Sequence, residues 1–195
     1  MNRHTIIQKL IDKINARSYL EIGLNKGQGF NKLRCNKKIS VDPACDIYSH
    51  AEPTHKMTSD DFFANQQDIF DVIFIDGLHE SKQVEKDINN SLLCLSDKGF
   101  IVCHDMNPLT KEAQAVPRSQ KFWNGDCWKA WVKIRSTNPY LKMYVVDSDH
   151  GCGIIQNGAQ ELLDLQGLEL TYDNLDNNRE KWLNLVTIED FHRRM

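Results

Sequence analysis

Apolar residues recur along this chain in two rhythms, and the switches between them mark out its elements. Ile6, Ile7, Leu10, Ile11 and Ile14 fall at helical spacing and predict a leading helix within residues 1–16. Tyr19-Leu-Glu-Ile22 reads as a short buried strand that runs into a turn carrying Gly23, Gly27 and Gly29. A second strand, Lys38-Ile-Ser-Val-Asp42, ends on a carboxylate, and His55-Lys-Met-Thr58 is read as a third. Ser59 then caps a short helix from Asp60 to Asn65. Phe70-Asp-Val-Ile-Phe-Ile-Asp76 is a nearly continuous apolar run, the pattern of a central parallel strand buried on both faces. Val84, Ile88, Leu92 and Leu95 mark the buried stripe of a helix that Lys98-Gly99 closes, and Phe100 to His104 is the next central strand.

Beyond Pro108 the pattern changes. Residues 109 to 124 are polar and aperiodic, and a loop of that length inside a compact domain usually has a function, such as a lid (106–127). A helix follows over 126–135. Leu141 to Asp147 and Gly151 to Gln156 read as an antiparallel strand pair, and 157–195 as a polar tail of one or two helices. Strands alternating with helices predict an α/β fold: one domain over 1–195 with a doubly wound, mostly parallel, seven-stranded Rossmann-like sheet and an antiparallel C-terminal hairpin.

Composition narrows the options little further. A net charge of −3 without a Lys/Arg block gives no reason to expect nucleic acid or an anionic membrane as partner. The amphipathic N-terminus is neither a signal peptide nor a span. Six cysteines form no C-x-x-C pair or zinc spacing, and Cys94 and Cys103, in apolar surroundings, are expected to be reduced core residues, which fits a cytoplasmic location.

The chemistry concentrates at the strand ends. A glycine turn after one strand and an acid ending the next, Asp42, nineteen residues after Gly23, present a nucleoside site in open α/β sheets. A dinucleotide fingerprint needs G-x-G-x-x-G, but Asn25 stands at its second glycine and Lys26 precedes Gly27. Glu21 would add negative charge beside a pyrophosphate; a carboxylate there suits a cationic ligand. Asp76 and Asp105 end adjacent central strands, so they should converge in the crevice and can hold a divalent cation such as Mg²⁺. Asp76 could alternatively be the N-cap of the next helix. His79 reaches the same crevice and, neutral at ordinary pH, can take a proton. His104, by strand alternation, should point to the other face as a packed histidine. In the lid, Arg118 and Trp123 suit a substrate ring, whereas Trp128 and Trp131 read as packing residues.

The turn Glu21-Ile-Gly-Leu-Asn-Lys-Gly-Gln-Gly29 resembles motif I of the class I S-adenosylmethionine-dependent methyltransferases. Phe70 to Glu80 and Gly99 to Pro108 look like the bacterial methyltransferase group called family 24, and are similar to Mg²⁺-dependent O-methyltransferases of the catechol and macrolide-sugar types. The resemblance implies a cofactor site at Glu21, Gly23, Asn25, Lys26, Gly27, Asp42 and Asp76, with Ser59 and Asp60 beside the adenine; for Ser59 a plain helix cap is the alternative. It implies metal ligation by Asp76 and Asp105, and His79 as general base. Relatives place a further Asp or Asn directly after the second acid; here that residue is Met106, with Asn107 the candidate one place on. The implied activity is O-methylation of a small hydroxylated acceptor such as a saccharide. A cofactor-binding module without catalysis, and a nicotinamide-dependent oxidoreductase, are the rival readings.

Overall fold

The computed structural model describes residues 1–44 and 52–195. Cys45 and the polar stretch around it lie outside the described residues.

The chain runs α1 (Arg3–Ile14), β1 (Ser18–Ile22), α2 (Gln28–Lys32), β2 (Lys37–Val41), α3 (Ser59–Asn65), β3 (Phe70–Ile75), α4 (Ser81–Leu93), β4 (Leu95–Cys103), α5 (Cys127–Thr137), β5 (Leu141–Val146), β6 (Cys152–Asn157), α6 (Tyr172–Leu183), β7 (Leu185–Val186) and α7 (Ile188–Arg194). One seven-stranded sheet has the order β2-β1-β3-β4-β6-β5-β7. β2, β1, β3 and β4 pair in parallel, and β6 runs antiparallel to both β4 and β5.

Side-chain alternation divides the core between the two faces of the sheet. Leu20, Ile73, Ile75, Ile101 and Cys103 pack with Val84, Ile88, Trp128, Trp131 and Trp182, so α4, α5 and α6 cover one face. Tyr19, Val72, Phe74 and Val102 pack with Ile6, Leu10, Phe30 and Phe191, so α1, α2 and α7 cover the other. Burial on both sides explains the continuous apolar runs of the central strands.

The expected strand count holds, but its membership differs. His55 makes only an isolated parallel bridge to Val41, and no strand follows. Side-chain bonds take over there: Thr54 Oγ1 accepts from the Ser40 N–H, and Thr58 accepts from the Asp61 N–H to cap α3. Ser59 is therefore the first helical residue rather than the cap. The seventh strand comes from the tail, where Leu185 and Val186 pair with Val145 and Val146. α4 also ends sooner than its stripe suggests, because Leu95 belongs to β4 and pairs with Phe70.

α5 anchors the tail from beneath. Arg135 is buried and donates from Nη1 to the carbonyls of Lys181 and Trp182, while Trp131 Nε1 donates to that of Leu183. A guanidinium on the terminal carbonyls of a helix satisfies acceptors that have no partner within the helix and opposes its dipole.

Among the described residues no helix is long and apolar enough to cross a membrane. Cys35, Cys94, Cys103, Cys127 and Cys152 are free, and all but Cys35 are buried.

Candidate active site

The parallel strands β1, β2, β3 and β4 deliver their C-terminal ends to one edge, where a cleft of about 1140 Å³ opens. Ligands of such sheets bind at this edge. Gly23 (φ +89°) turns the chain out of β1 so closely over β3 that a Cβ would lie 2.1 Å from the carbonyl oxygen of Asp76. Only glycine fits there. The turn is held from the next strand: Asp42 Oδ2 accepts from the backbone N–H groups of Leu24 and Asn25 at 2.9 and 3.0 Å. Gly23, Asn25 and Asp42 all line the cleft.

Other residues expected in the turn lie elsewhere. Lys26 is exposed and Gly27 is the N-cap residue of α2, and neither lines the cleft. Glu21 shares the α1 face of the sheet with Tyr19, as alternation requires, and is 4% exposed with its carboxyl bonded to the Tyr19 hydroxyl at 2.5 Å. Burial pushes its pKa up to about 8, against the lowering effect of the Tyr19 bond. Glu21 therefore does not present a carboxylate to the cleft.

The opposite wall carries Ser59 and Asp60. Gln83 Nε2, on α4, lies 3.2 Å from Ser59 Oγ and 2.9 Å from Asp60 Oδ1 and ties this wall to the helix.

Asp76, His79 and Asp105 meet on the cleft floor. His79 Nε2 is 3.3 Å from Asp76 Oδ1, and its Nδ1 is 3.4 Å from Asp105 Oδ2. Asp76 caps no helix; the N–H of Ser81 instead donates to Asp126 Oδ1, brought in from the far end of the lid. Burial works against the His79 imidazolium, but its bond to Asp76 and the charge of Asp105 outweigh this and raise its pKa.

His104 is packed on the other face, as alternation predicts, and from there it also reaches this group. It is 5% exposed on the α1 face, yet Asp105 adopts φ +63°, which breaks strand alternation and swings its carboxylate to 2.9 Å from His104 Nδ1. Asp76 Oδ1 lies 3.3 Å from the same nitrogen. On the other side Arg3 Nη1 is 2.7 Å from His104 Nε2. Burial lowers the His104 pKa, and Asp76, Asp105 and Asp149 raise it to a net upward direction. Arg3 opposes that second proton, because a guanidinium only donates and an N–H on Nε2 would point at it. Burial disfavours the charge on Asp76, but His104 and His79 hold its pKa well below the usual range.

Asn107 is not in this cluster. It is buried, accepts from Arg179 through Oδ1 and donates to Asp147 through Nδ2. Met106 is buried in the core. Among the described residues, the group able to hold a metal ion is Asp76, His79 and Asp105, whose ligand atoms lie within 4.8 Å of one another.

The long segment between β4 and α5 lies over His79. Trp123 stacks on the imidazole and donates from Nε1 to the Ala115 carbonyl, and Arg118 bonds the carbonyls of Gln120 and Lys121. Both line the cleft, but Trp123 has one face taken by His79. The aromatic ring left open at the cleft is Phe122, which is 71% exposed. Arg3, Asp149 and His150 also line the cleft and went unread in the sequence. Arg3 precedes any glycine signal, and the two others sit in a hairpin turn where polar residues are ordinary.

Residues 20–106 match the model of a methyltransferase domain family. A search of curated proteins finds no match. Solved structures share the fold at low identity. The O-methyltransferase TomG from Streptomyces achromogenes, in complex with S-adenosylmethionine, is 11% identical over 80% of each chain, with a TM-score of 0.60. The O-methyltransferase from Bacillus cereus, in complex with S-adenosylhomocysteine, is 13% identical over 81% of this chain and 80% of that one, with a TM-score of 0.54. The N-methyltransferase NodS from Bradyrhizobium japonicum is 16% identical over 82% of this chain and 95% of that one, with a TM-score of 0.51. The chain therefore shares the Rossmann-like fold of these methyltransferases, and the family match lies within the part of the sheet that forms the cleft.

Proposed function

We propose that this protein transfers a methyl group from S-adenosylmethionine to a hydroxyl oxygen of a small acceptor, such as a saccharide, with His79 as general base. The observation that carries this reading is that one cleft holds both the Gly23–Asp42 turn and the Asp76–His79–Asp105 cluster. A nucleoside bound at the turn would have its reactive end directed towards the acids. When bound, the cofactor supplies an electrophilic methyl carbon on a positively charged sulfur.

In this reading Asp42 accepts from the ribose hydroxyls with lone pairs its turn bonds leave over, and Ser59 and Asp60 border the base. The acceptor lies under the lid against Phe122, with Arg118, whose guanidinium lies over the Trp123 ring 5.6 Å from its centroid, as a further contact. Held in line, nucleophile and methyl group gain the advantage of a unimolecular reaction, worth roughly 7–11 kcal/mol in well-oriented cases.

The cluster also fits a divalent cation. His79 Nδ1 is a buried nitrogen without a hydrogen-bond partner, facing Asp105, while Nε2 faces Asp76. A neutral imidazole cannot donate to both acids, so a cation between them resolves a contact that otherwise needs an imidazolium. Asp76 and Asp105 would hold the ion, and Mg²⁺ or Mn²⁺ suits two carboxylates. When bound it would orient an acceptor hydroxyl and ease its deprotonation. With the carboxylate charge offset, His79 loses its reason to stay protonated and can take that proton.

Calorimetric titration with S-adenosylhomocysteine and with NAD(H) tests the central point. Binding of the first, lost in Asp42→Ala, is the expected result, and binding of NAD(H) alone would sink the proposal.

A further inference from the structure

At the edge of the sheet opposite the cleft, where β4 and β5 begin and β6 ends, a second cavity of about 810 Å³ opens. It shares no lining residue with the cleft. Arg135, near the end of α5, lines this cavity and is 8% exposed. Its Nη1 donates to the carbonyls of Lys181 and Trp182 at 2.7 and 2.8 Å. Among the described residues its Nε is a buried donor without a partner, Nη2 has no bond, and no acid pairs with the guanidinium. Nε and Nη2 form the edge on which a guanidinium takes two oxygens of one anion in parallel bonds. A buried cation is unfavourable unless something compensates it, and the carbonyl end of α6 offsets only part of the charge. Burial accordingly lowers the Arg135 pKa, with no acid acting against it.

The same cavity holds an acceptor of equal standing. Gln160 follows β6 and is tied to the end of α5: its N–H donates to the Pro139 carbonyl at 3.0 Å, and Nε2 donates to the Asn138 carbonyl at 2.9 Å. A carbonyl partner fixes the amide, so Oε1 is the free end. That oxygen is buried and has no hydrogen-bond partner among the described residues. Lys13, Lys98, Lys142 and Arg194 also line the cavity, against two acids, Asp97 and Glu161. Lys142 lays its stem along Gly158, where a Cβ would lie 2.8 Å from Cγ and 2.9 Å from Cδ and Cε. Lysines at a sheet edge are ordinarily a solvated rim. The buried guanidinium edge and the buried amide oxygen are what set this place apart, because each needs a partner that the chain does not supply.

We propose that this cavity binds a phosphorylated, hydroxylated small molecule. Its phosphoryl oxygens lie on the Nε–Nη2 edge of Arg135 and near the ammonium groups of Lys98 and Lys142, and a hydroxyl donates to Gln160 Oε1. Five cations against two acids suit more than one negative charge. A phosphate monoester supplies that near neutral pH, whereas a single carboxylate does not. The site stands apart from the methyl-transfer reading, since the two cavities have no residue in common.

The experiment titrates the full chain with inorganic phosphate, glycerol phosphate, glycerol and acetate, at ionic strength matched with chloride. Two signals are followed: Tm, and the Nε–H resonance of Arg135 in nitrogen-labelled protein, assigned through its side-chain carbons. Phosphate should move that resonance saturably and raise Tm by roughly 3–6 °C at about ten times Kd. Glycerol phosphate should bind at least tenfold more tightly than phosphate, and Gln160→Leu should remove that advantage. Lys98 and Lys142 are exposed, so the double variant Lys98→Gln with Lys142→Gln keeps the fold. It should bind phosphate at least tenfold more weakly, with S-adenosylhomocysteine affinity unchanged. An Nε–H resonance that phosphate leaves in place overturns the proposal, even where Tm rises, since the anion then binds elsewhere. So does a response that chloride or acetate reproduces, or a lysine double variant with wild-type phosphate affinity.

Discussion

The indole of Trp123 lies parallel to the imidazole of His79, with ring centroids 5.2 Å apart and planes inclined by 15°. Two residues on, Gly125 (φ +65°) presses so closely on His79 that a Cβ would lie 1.8 Å from its carbonyl oxygen. The lid therefore holds His79 by ring and backbone together. We expect Trp123→Ala to lower kcat by about tenfold to 100-fold through misplacement of the ring, and Trp123→Phe to restore most of it. Steady-state kinetics would show it. A rise in acceptor KM with kcat untouched would instead make Trp123 a plain acceptor contact.

Gly23→Ala should loosen the junction of β1 and β3, because the added carbon meets the Asp76 backbone, which belongs to a packed strand end and cannot give way as a side-chain tip would. A residue with a side chain at φ +89° adds strain of about 1–3 kcal/mol. Loss of stability in urea and at least a tenfold weaker S-adenosylhomocysteine titration are the expected results. An unchanged titration would mean that the turn does not contact the cofactor.

Much of this architecture was readable because burial on both faces leaves a plain mark. Runs such as Val72 to Ile75 have few other solutions, and the acids that end them must face water or a cation. The misread features have separate causes. Asp105 adopts a left-handed φ that no alternation rule supplies, so its carboxylate turns to His104 on the other face. Glu21 obeys alternation, and for that reason it lies under α1 with Tyr19 rather than at the cleft. Leu185 and Val186 are too short a strand to show a period, and the flanking Asn184 and Thr187 cap the helices on either side. Arg3, Asp149 and His150 reach the cleft by tertiary placement alone.

Glu21 also gives the protein a pH dependence of stability. Its carboxyl stays neutral in the folded protein up to about pH 8, whereas the ordinary value is 4.5. Between those values the native state keeps a proton that the unfolded chain has released. Stability is therefore fullest below the lower value and falls as pH rises through the window, by an amount on the order of a few kcal/mol. Glu21→Gln keeps an acceptor for Tyr19 and cannot ionise. We expect it to match wild type near the acid end and to exceed it at the alkaline end in urea unfolding. Parallel pH profiles for the two proteins would show that Glu21 ionises normally.

The cation can be tested apart from turnover. Asp76 and Asp105 bracket His79, whose Nδ1 has no hydrogen-bond partner among the described residues, and a bound ion would stabilise the folded state by mass action. At a concentration of about 100 times Kd the gain is about 2.7 kcal/mol, enough to raise Tm by several degrees in a chain of this size. Mn²⁺ or Mg²⁺ should raise Tm for the wild type and not for Asp105→Asn, and EDTA should abolish methyl transfer until the ion is restored. His79→Ala should behave differently, retaining S-adenosylhomocysteine binding while losing turnover, since a base acts on the acceptor and not on the cofactor. Full turnover in excess EDTA, with no cation-dependent change in Tm, would leave Asp76 and Asp105 as partners of His104 and Arg3 alone. The acids would then orient side chains rather than a metal, and the imidazole of His79 would need another route to its neutral form.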